Sequence, residues 1–275
     1  MTAFDTTDLL PAPASPTDKE RRKKPIRFGF NLPGVLFVVF VILLWQLLKA
    51  TNVISSYYIP APSAIWTEGV TMARDGELWE PIAHTVTAAV SGWAIASAIG
   101  LVLGLLMGSA PGVFRWSMAS FDVIRAIPAV TFVPVIALIF GISLRAEIIV
   151  VIYVSAWPVL FNALSGIQGM RAGYRDTART LRMTRSSLIR KVVLPAAAPD
   201  ILVGLRLSMG LALTLAVVGE LLINPAGLGF RLVQAQQRIQ PESMYVIVII
   251  IGILGFVLNG LLILLARVEI GRAHV

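Results

Sequence analysis

Arg171, Arg175, Arg179 and Arg182 recur at helical spacing in and just before the run "YRDTARTLRMTRSSLIRKVVLP" (174–195). Guanidinium groups so spaced share one face of a helix, while Ala178, Leu181 and Leu188 fall on another, so the segment reads as an amphipathic helix. Its chemistry is recognition: an arginine face binds anionic lipid headgroups or docks against a partner. Catalysis within the chain is not expected, because no Ser-His-Asp set and no carboxylate pair is apparent. Lys19, Lys23, Lys24, Lys49 and Lys191 all follow residues other than glycine, which excludes a Gly-x-x-x-x-Gly-Lys-[Ser/Thr] phosphate cradle. There is no cysteine, and His84 and His274 lie far apart, so neither thiol chemistry nor a His-based metal site is expected.

Ionisable groups within apolar runs are the other functional candidates. Arg206 sits inside the run 199–222, where it would attract an anion in a transport path; capping carbonyls near the inner surface is the competing reading. Glu220 ends the same run as a gate group, a partner across a dimer interface, or a simple exposed helix end. Asp122 and Arg125 begin the run 119–140 and read as a local ion pair or a cytoplasmic gate contact. Pro128 and Pro134 interrupt that run, and the carbonyls they free are tolerated only where a helix is packed or lines a cavity. Ile127, Thr131, Ser155, Asn162, Ser208 and Thr214 complete the candidates for a translocation path or gate, although helix packing is the plainer reading of each.

The elements that position these groups must be membrane helices. Of 275 residues, 57% are hydrophobic and 14% charged, against about a quarter charged in ordinary soluble domains. Apolar runs of the length a bilayer core requires occur near 32–48, 85–108, 119–140, 146–167, 199–222 and 244–266, predicting six transmembrane helices. The first is read as a retained helix and not a signal peptide. Residues 1–31, with "PAPASPTDKERRKKP", read as a disordered cytoplasmic tail. A membrane domain over 32–270, containing a cytoplasmic loop at about 168–197, and a cytoplasmic end at 271–275 complete the division. The formal net charge is +8, but the basic residues flank apolar runs, which argues against nucleic acid as a partner. Lys and Arg concentrate in the tail, near 115–125, across 171–191 and at 267–272, so both termini are placed inside. Tyr57, Tyr58, Trp66 and Trp79 then fall in an outer loop and suit the membrane interface.

The order Asp176-Thr177-Ala178, Arg182, Val192 and Leu194-Pro195 resembles the cytoplasmic coupling loop of ABC-importer permeases, with its Glu-Ala-Ala…Gly…Ile-x-Leu-Pro pattern. Asp176-Thr177 replaces Glu-Ala and keeps the acid. Arg182 stands where glycine is usual, which predicts loss of the flexible break between two short helices. "IRAIPAVTFVPVIALIFGIS" (124–143), "SGIQGMRAGYRDTARTL" (165–181), "LPAAAPDILVGLRLSMGLALTLAVVGELL" (194–222) and "GLGFRLVQAQ" (227–236) extend the resemblance to permeases of the nitrate/sulfonate/taurine branch. It implies an all-α type I importer permease of the bacterial inner membrane that carries no enzymatic activity. Asp176, Thr177, Ala178, Leu181, Arg182, Val192, Leu194 and Pro195 would couple it to a cytoplasmic ABC ATPase dimer. No cofactor is expected on this chain; ATP and Mg²⁺ would belong to the ATPase. A second permease subunit, as a homodimer, and an extracytoplasmic solute-binding protein are the other implied partners, with membrane lipid around them. The solute would be small and anionic: nitrate, a sulfonate or taurine, bicarbonate, or a related organic acid. Two rival classes are a secondary transporter without an ATPase and a membrane scaffold with a basic recruiting loop.

Overall fold

The computed structural model describes residues 32–170, 173–174, 178 and 180–272, with 111 and 267–272 described by backbone alone. The tail expected over 1–31 therefore lies outside the described residues. Among those described, every regular element is helical. Residues up to Leu44 form one unit and Trp45 onward another.

The first helix, α1 (Leu32–Ala50), buries no side chain and shows apolar residues on all sides, including Leu36, Phe37 and Phe40. A helix apolar all round is what a lipid environment demands. Its 19 residues would extend about 28 Å, close to the hydrocarbon thickness of a bilayer.

In the second unit, α2 (Pro62–Arg74) starts with proline at its first position, where the missing N–H costs nothing. Helix α3 (Trp79–Ser109) and helix α6 (Leu144–Gln168) make the most extensive contact, followed by α6 with α7 (Leu194–Leu222). The reason lies in a stripe along α3: Gly92, Ala96, Gly100, Gly104 and Gly108, every fourth residue, all buried. A Cβ on Gly100 would stand 2.7 Å from the Ala156 carbonyl oxygen, and one on Gly104 would stand 2.7 Å from Ala163 Cβ. Lipid offers no hydrophobic drive for helices to associate, so close backbone approach and dispersion must hold them. The glycines of the run 85–108 thus serve packing.

The third span is not the single helix that 119–140 suggests. It is a broken pair, α4 (Pro111–Ala126) and α5 (Phe132–Phe140), bent by 70° across Ile127, Pro128 and one 3₁₀ turn at Ala129–Thr131. Proline disfavours the helical region for the residue before it, and Ile127 is extended at φ −76°, ψ 122°. Counting that pair as one gives six apolar elements long enough to cross a membrane. Before α7, a short turn of helix at Arg185–Leu188 runs into a π-turn at Ile189–Val193, so that one helical body of 38 residues extends from Arg185 to Leu222. Pro195 has no N–H for a carbonyl one turn back, and the widened turn absorbs that loss. Two helices close the chain: α8 (Gly227–Gln237) lies in what reads as an outer loop, and α9 (Pro241–Arg272) is the last long helix.

Candidate functional site

The segment expected to dock on an ATPase is visible from its second half. Asp176 and Thr177, like Arg171, Arg175 and Arg179, lie outside the described residues. Ala178 is buried, Leu181 and Arg182 are exposed, Val192 and Leu194 are half-buried and Pro195 is exposed. Arg182 does not abolish the break. It adopts the left-handed conformation at φ 48°, and the Met183 N–H donates to the Ala178 carbonyl at 3.1 Å. That six-to-one bond closes a Schellman turn, in which a left-handed residue ends a helix. An arginine there does what glycine does at lower cost. Thr184 restarts the chain by accepting a hydrogen bond from the Ser187 N–H at 3.3 Å, capping the next helix. A fixed bend at Arg182 followed by a capped helix from Arg185 is the outcome, so the break that Arg182 was expected to remove is present.

At the far end of α7 the structure gathers residues that were not grouped in the sequence. Glu220 is fully buried, which rules out the exposed helix end. The Thr85 hydroxyl donates to its Oε1 at 2.7 Å, and the Gly229 N–H donates to its Oε2 at 2.7 Å. Thr85 in turn accepts from the Leu228 N–H at 3.0 Å. The residue before α8, Ala226, has no capping side chain, so groups from α3 and α7 satisfy the first N–H groups of α8, and the carboxylate faces the positive end of its dipole. The contact is close enough to forbid side chains: Gly227 holds φ +84°, and a Cβ there would fall 2.1 Å from Glu220 Cδ.

Beside it, Glu147 of α6 is completely buried. Its Oε2 lies 3.1 Å from His84 Nε2 and accepts from Asn224 Nδ2 at 2.8 Å, while Asn224 Nδ2 lies 3.0 Å from His84 Nε2. Donor atoms of His84, Glu147 and Glu220 all lie within 4.8 Å of one another. So a carboxylate pair exists after all, and it has a histidine partner. It escaped sequence reading because His84 and Glu147 are 63 positions apart and Glu220 lies a further 73 along the chain. The one local signal was acidic residues at the ends of two spans with His84-Thr85 opening a third. A cavity of about 260 Å³ adjoins the cluster, lined in part by His84, Gly227, Glu80 and Arg231.

The other path candidates do not converge on one site. The Arg206 Nε donates to Asn259 Oδ1 at 2.8 Å, tying α7 to α9. Asn162 donates to the Pro158 carbonyl at 2.8 Å and packs against Gly204. Ser155 and Ser208 are buried with no partner for their hydroxyls. Thr131 donates to the Pro128 carbonyl at 2.6 Å within the bend, where Ile127 and Pro134 are exposed, and Thr214 donates to the Gly210 carbonyl. Asp122 and Arg125 form the local ion pair at 2.9 Å; both are half-exposed, so it contributes little stability.

The family described as "Binding-protein-dependent transport system inner membrane component" matches residues 98–268. The chain is 30% identical over 247 residues, 90% of each chain, to the putative aliphatic sulfonates transport permease protein SsuC of Bacillus subtilis. It is 27% identical over 261 residues to the bicarbonate transport system permease protein CmpB of Synechocystis, covering 90% of this chain and 91% of that one. The taurine transport system permease protein TauC of Escherichia coli is 27% identical over 231 residues, 82% of this chain and 83% of its own. Among solved structures, the inward-facing MetNI methionine ABC transporter overlaps 69% of this chain and 93% of that chain, with a TM-score of 0.56 at 20% identity, and it shares the fold.

Proposed function

The chain belongs to the binding-protein-dependent transport system inner membrane components, and we propose that, as an ABC-importer permease, it carries a small oxyanionic solute into the cell. The single observation behind the cargo reading is that its relatives over most of its length are named for sulfonates, bicarbonate, nitrate and taurine. Those solutes share a compact, delocalised anionic head. Uptake of labelled taurine, nitrate and bicarbonate by cells with and without the gene tests it. Loss of uptake of one of them upon deletion, restored by complementation, supports the reading; unaltered uptake of all three counts against an oxyanion cargo.

In this reading both termini are cytoplasmic, since Arg115 and Arg125 follow the second span and Arg182, Arg185, Arg190 and Lys191 follow the fourth, loops that alternating spans put on one side. The chain forms a homodimer, receives solute from an extracytoplasmic binding protein, and holds neither ATP nor Mg²⁺. Those belong to a separate cytoplasmic ATPase dimer, which grips the segment around Asp176, Thr177, Ala178, Leu181, Arg182, Val192, Leu194 and Pro195. What supports the coupling role is continuity: the body of 38 residues from Arg185 to Leu222 spans about 57 Å at the usual helical rise. A displacement at the fixed Arg182 bend travels along it to Glu220, which holds the start of α8. The opposite faces of the path then open in turn, as alternating access requires. Ile127, Pro128, Thr131 and Pro134, at the bend between α4 and α5, remain the proposed gate, with Asn162, Arg206 and Ser208 packing behind the path.

A further inference from the structure

We propose that His84, Glu147 and Glu220, with Asn224 beside them, form a binding site for one divalent transition-metal ion that clamps α3, α6 and α7 together at the outer face. The site goes beyond solute import and does not depend on which solute is carried.

Two carboxylates are removed from water here, Glu147 completely and Glu220 almost so. The ion pairs among the described residues are His84–Glu147 and Asp122–Arg125, so no lysine or arginine neutralises the pair directly. Arg231 lines the adjoining cavity, as does Glu80 of opposite charge. Burying charged carboxylates is costly, and such groups in proteins take up a proton, are paired or coordinate a metal. A second observation points to a ligand. Glu147 Oε1 is buried and has no hydrogen-bond partner, while Oε2 serves both His84 and Asn224. An ion would use the free oxygen.

The geometry suits an ion with nitrogen and oxygen ligands. Donor atoms within 4.8 Å of one another need to close only slightly, because ligands at about 2.0–2.2 Å from a metal lie about 3–4 Å apart. Asn224 completes the set if its amide turns over, presenting Oδ1 where Nδ2 stands; which amide atom is oxygen is fixed by its surroundings. An outer shell is already in place. Thr85 and the Gly229 N–H hold the Glu220 carboxylate, and Gly219 makes room under the Glu147 side chain, where its own Cβ would lie 3.2 Å from Glu147 Cγ. An approach route exists too, since His84 lines the cavity of about 260 Å³ and is partly exposed. One imidazole and two carboxylates with an amide oxygen favour Zn²⁺ or Mn²⁺ over Mg²⁺.

The test is metal binding by the full chain, purified in detergent and stripped of metal, titrated calorimetrically with Zn²⁺ and, in parallel, by electron paramagnetic resonance with Mn²⁺. Wild type is compared with His84→Gln, Glu147→Gln, Asn224→Asp and, as a control lining the cavity only, Glu80→Gln. One ion per chain is expected in wild type and in Glu80→Gln. Affinity should fall roughly 100-fold or more in His84→Gln and Glu147→Gln, since even outer-shell changes cost 10–100-fold, and should rise in Asn224→Asp. If Glu147→Gln fails to fold, His84→Gln and Asn224→Asp carry the comparison. No saturable binding by folded wild type below millimolar metal overturns the proposal and leaves a plain His84–Glu147 ion pair. Equal affinity in wild type and His84→Gln also overturns it.

Discussion

Gly227→Ala probes the latch by which Glu220 holds the start of α8, and its cost can be worked out from two separable terms. The first is backbone conformation: at φ +84°, any residue with a Cβ is destabilised by about 1–2 kcal/mol. The second is space, because the new Cβ would sit 2.1 Å from Glu220 Cδ and 2.1 Å from its Oε1. The carboxylate cannot yield without releasing the Thr85 hydroxyl and the Gly229 N–H, and overpacking of this kind costs about 1–3 kcal/mol. Together they predict a loss of about 2–5 kcal/mol. Two other glycines divide the sum. Gly76 shares the positive φ, at +80°, with nothing within 4 Å, so Gly76→Ala should show the backbone term alone. Gly112 has neither constraint, so Gly112→Ala should be near neutral. Thermal unfolding followed by fluorescence-detected size exclusion in detergent gives the order, with Gly227→Ala lowest and Gly76→Ala between it and the near-wild-type Gly112→Ala. A Gly227→Ala protein no less stable than Gly76→Ala would refute the latch, since the crowding term would then be absent.

Arg182→Gly should stabilise the bend by about 1 kcal/mol, because glycine adopts the left-handed conformation without strain; slower amide exchange at Met183 would register it. Thr85→Val removes both the donor to Glu220 and the acceptor of the Leu228 N–H, and stranding two buried groups should cost about 2–4 kcal/mol in the same thermal assay. Gly104→Leu should push α3 from α6, since even a Cβ would meet Ala163 Cβ at 2.7 Å and the Leu160 carbonyl at 2.9 Å; the expected result is loss of folded protein on size exclusion. A double-mutant cycle on Arg206→Ala and Asn259→Ala should give a coupling of about 1 kcal/mol, as hydrogen bonds between membrane helices do; strictly additive losses would remove the link between α7 and α9.

The membrane helices were legible because a bilayer forces long apolar runs, and no tertiary contact can override that demand. The bend at Pro128 was half legible: proline marks an interruption, but whether a helix kinks or breaks depends on whether the preceding residue leaves the helical region, as Ile127 does. Arg182 misled because propensity is only a preference. The six-to-one bond from Met183 and the cap at Thr184 outweigh the arginine's reluctance to adopt positive φ. Helix α8 and the His84–Glu147–Glu220 cluster were not legible, since three separate helices must meet before those side chains touch. Gly227 and Gly229 made a visible motif, yet the reason for it, the Glu220 carboxylate lying where a Gly227 side chain would be and the Val217 carbonyl where a Gly229 one would be, is a fact of three dimensions. Asn162 and Arg206 show the same limit from the other side: their polarity suggested a path, but Asn162 donates to Pro158 of its own helix and packs against Gly204 of α7, and Arg206 donates to Asn259 of α9.

The central claim is that this permease takes its power from a separate ATPase gripped by the segment around Ala178 and Arg182. The most direct measurement is mild-detergent purification of the tagged chain from its native host, with its companions identified by mass spectrometry. Wild type is run beside a form carrying Asp176→Lys and Ala178→Asp. Recovery of a protein with a Gly-x-x-x-x-Gly-Lys-[Ser/Thr] motif on wild type, and its loss from the variant while the permease stays folded, is the predicted result. An intact wild-type preparation with no such ATPase, or one that holds it equally well after both substitutions, would contradict the account.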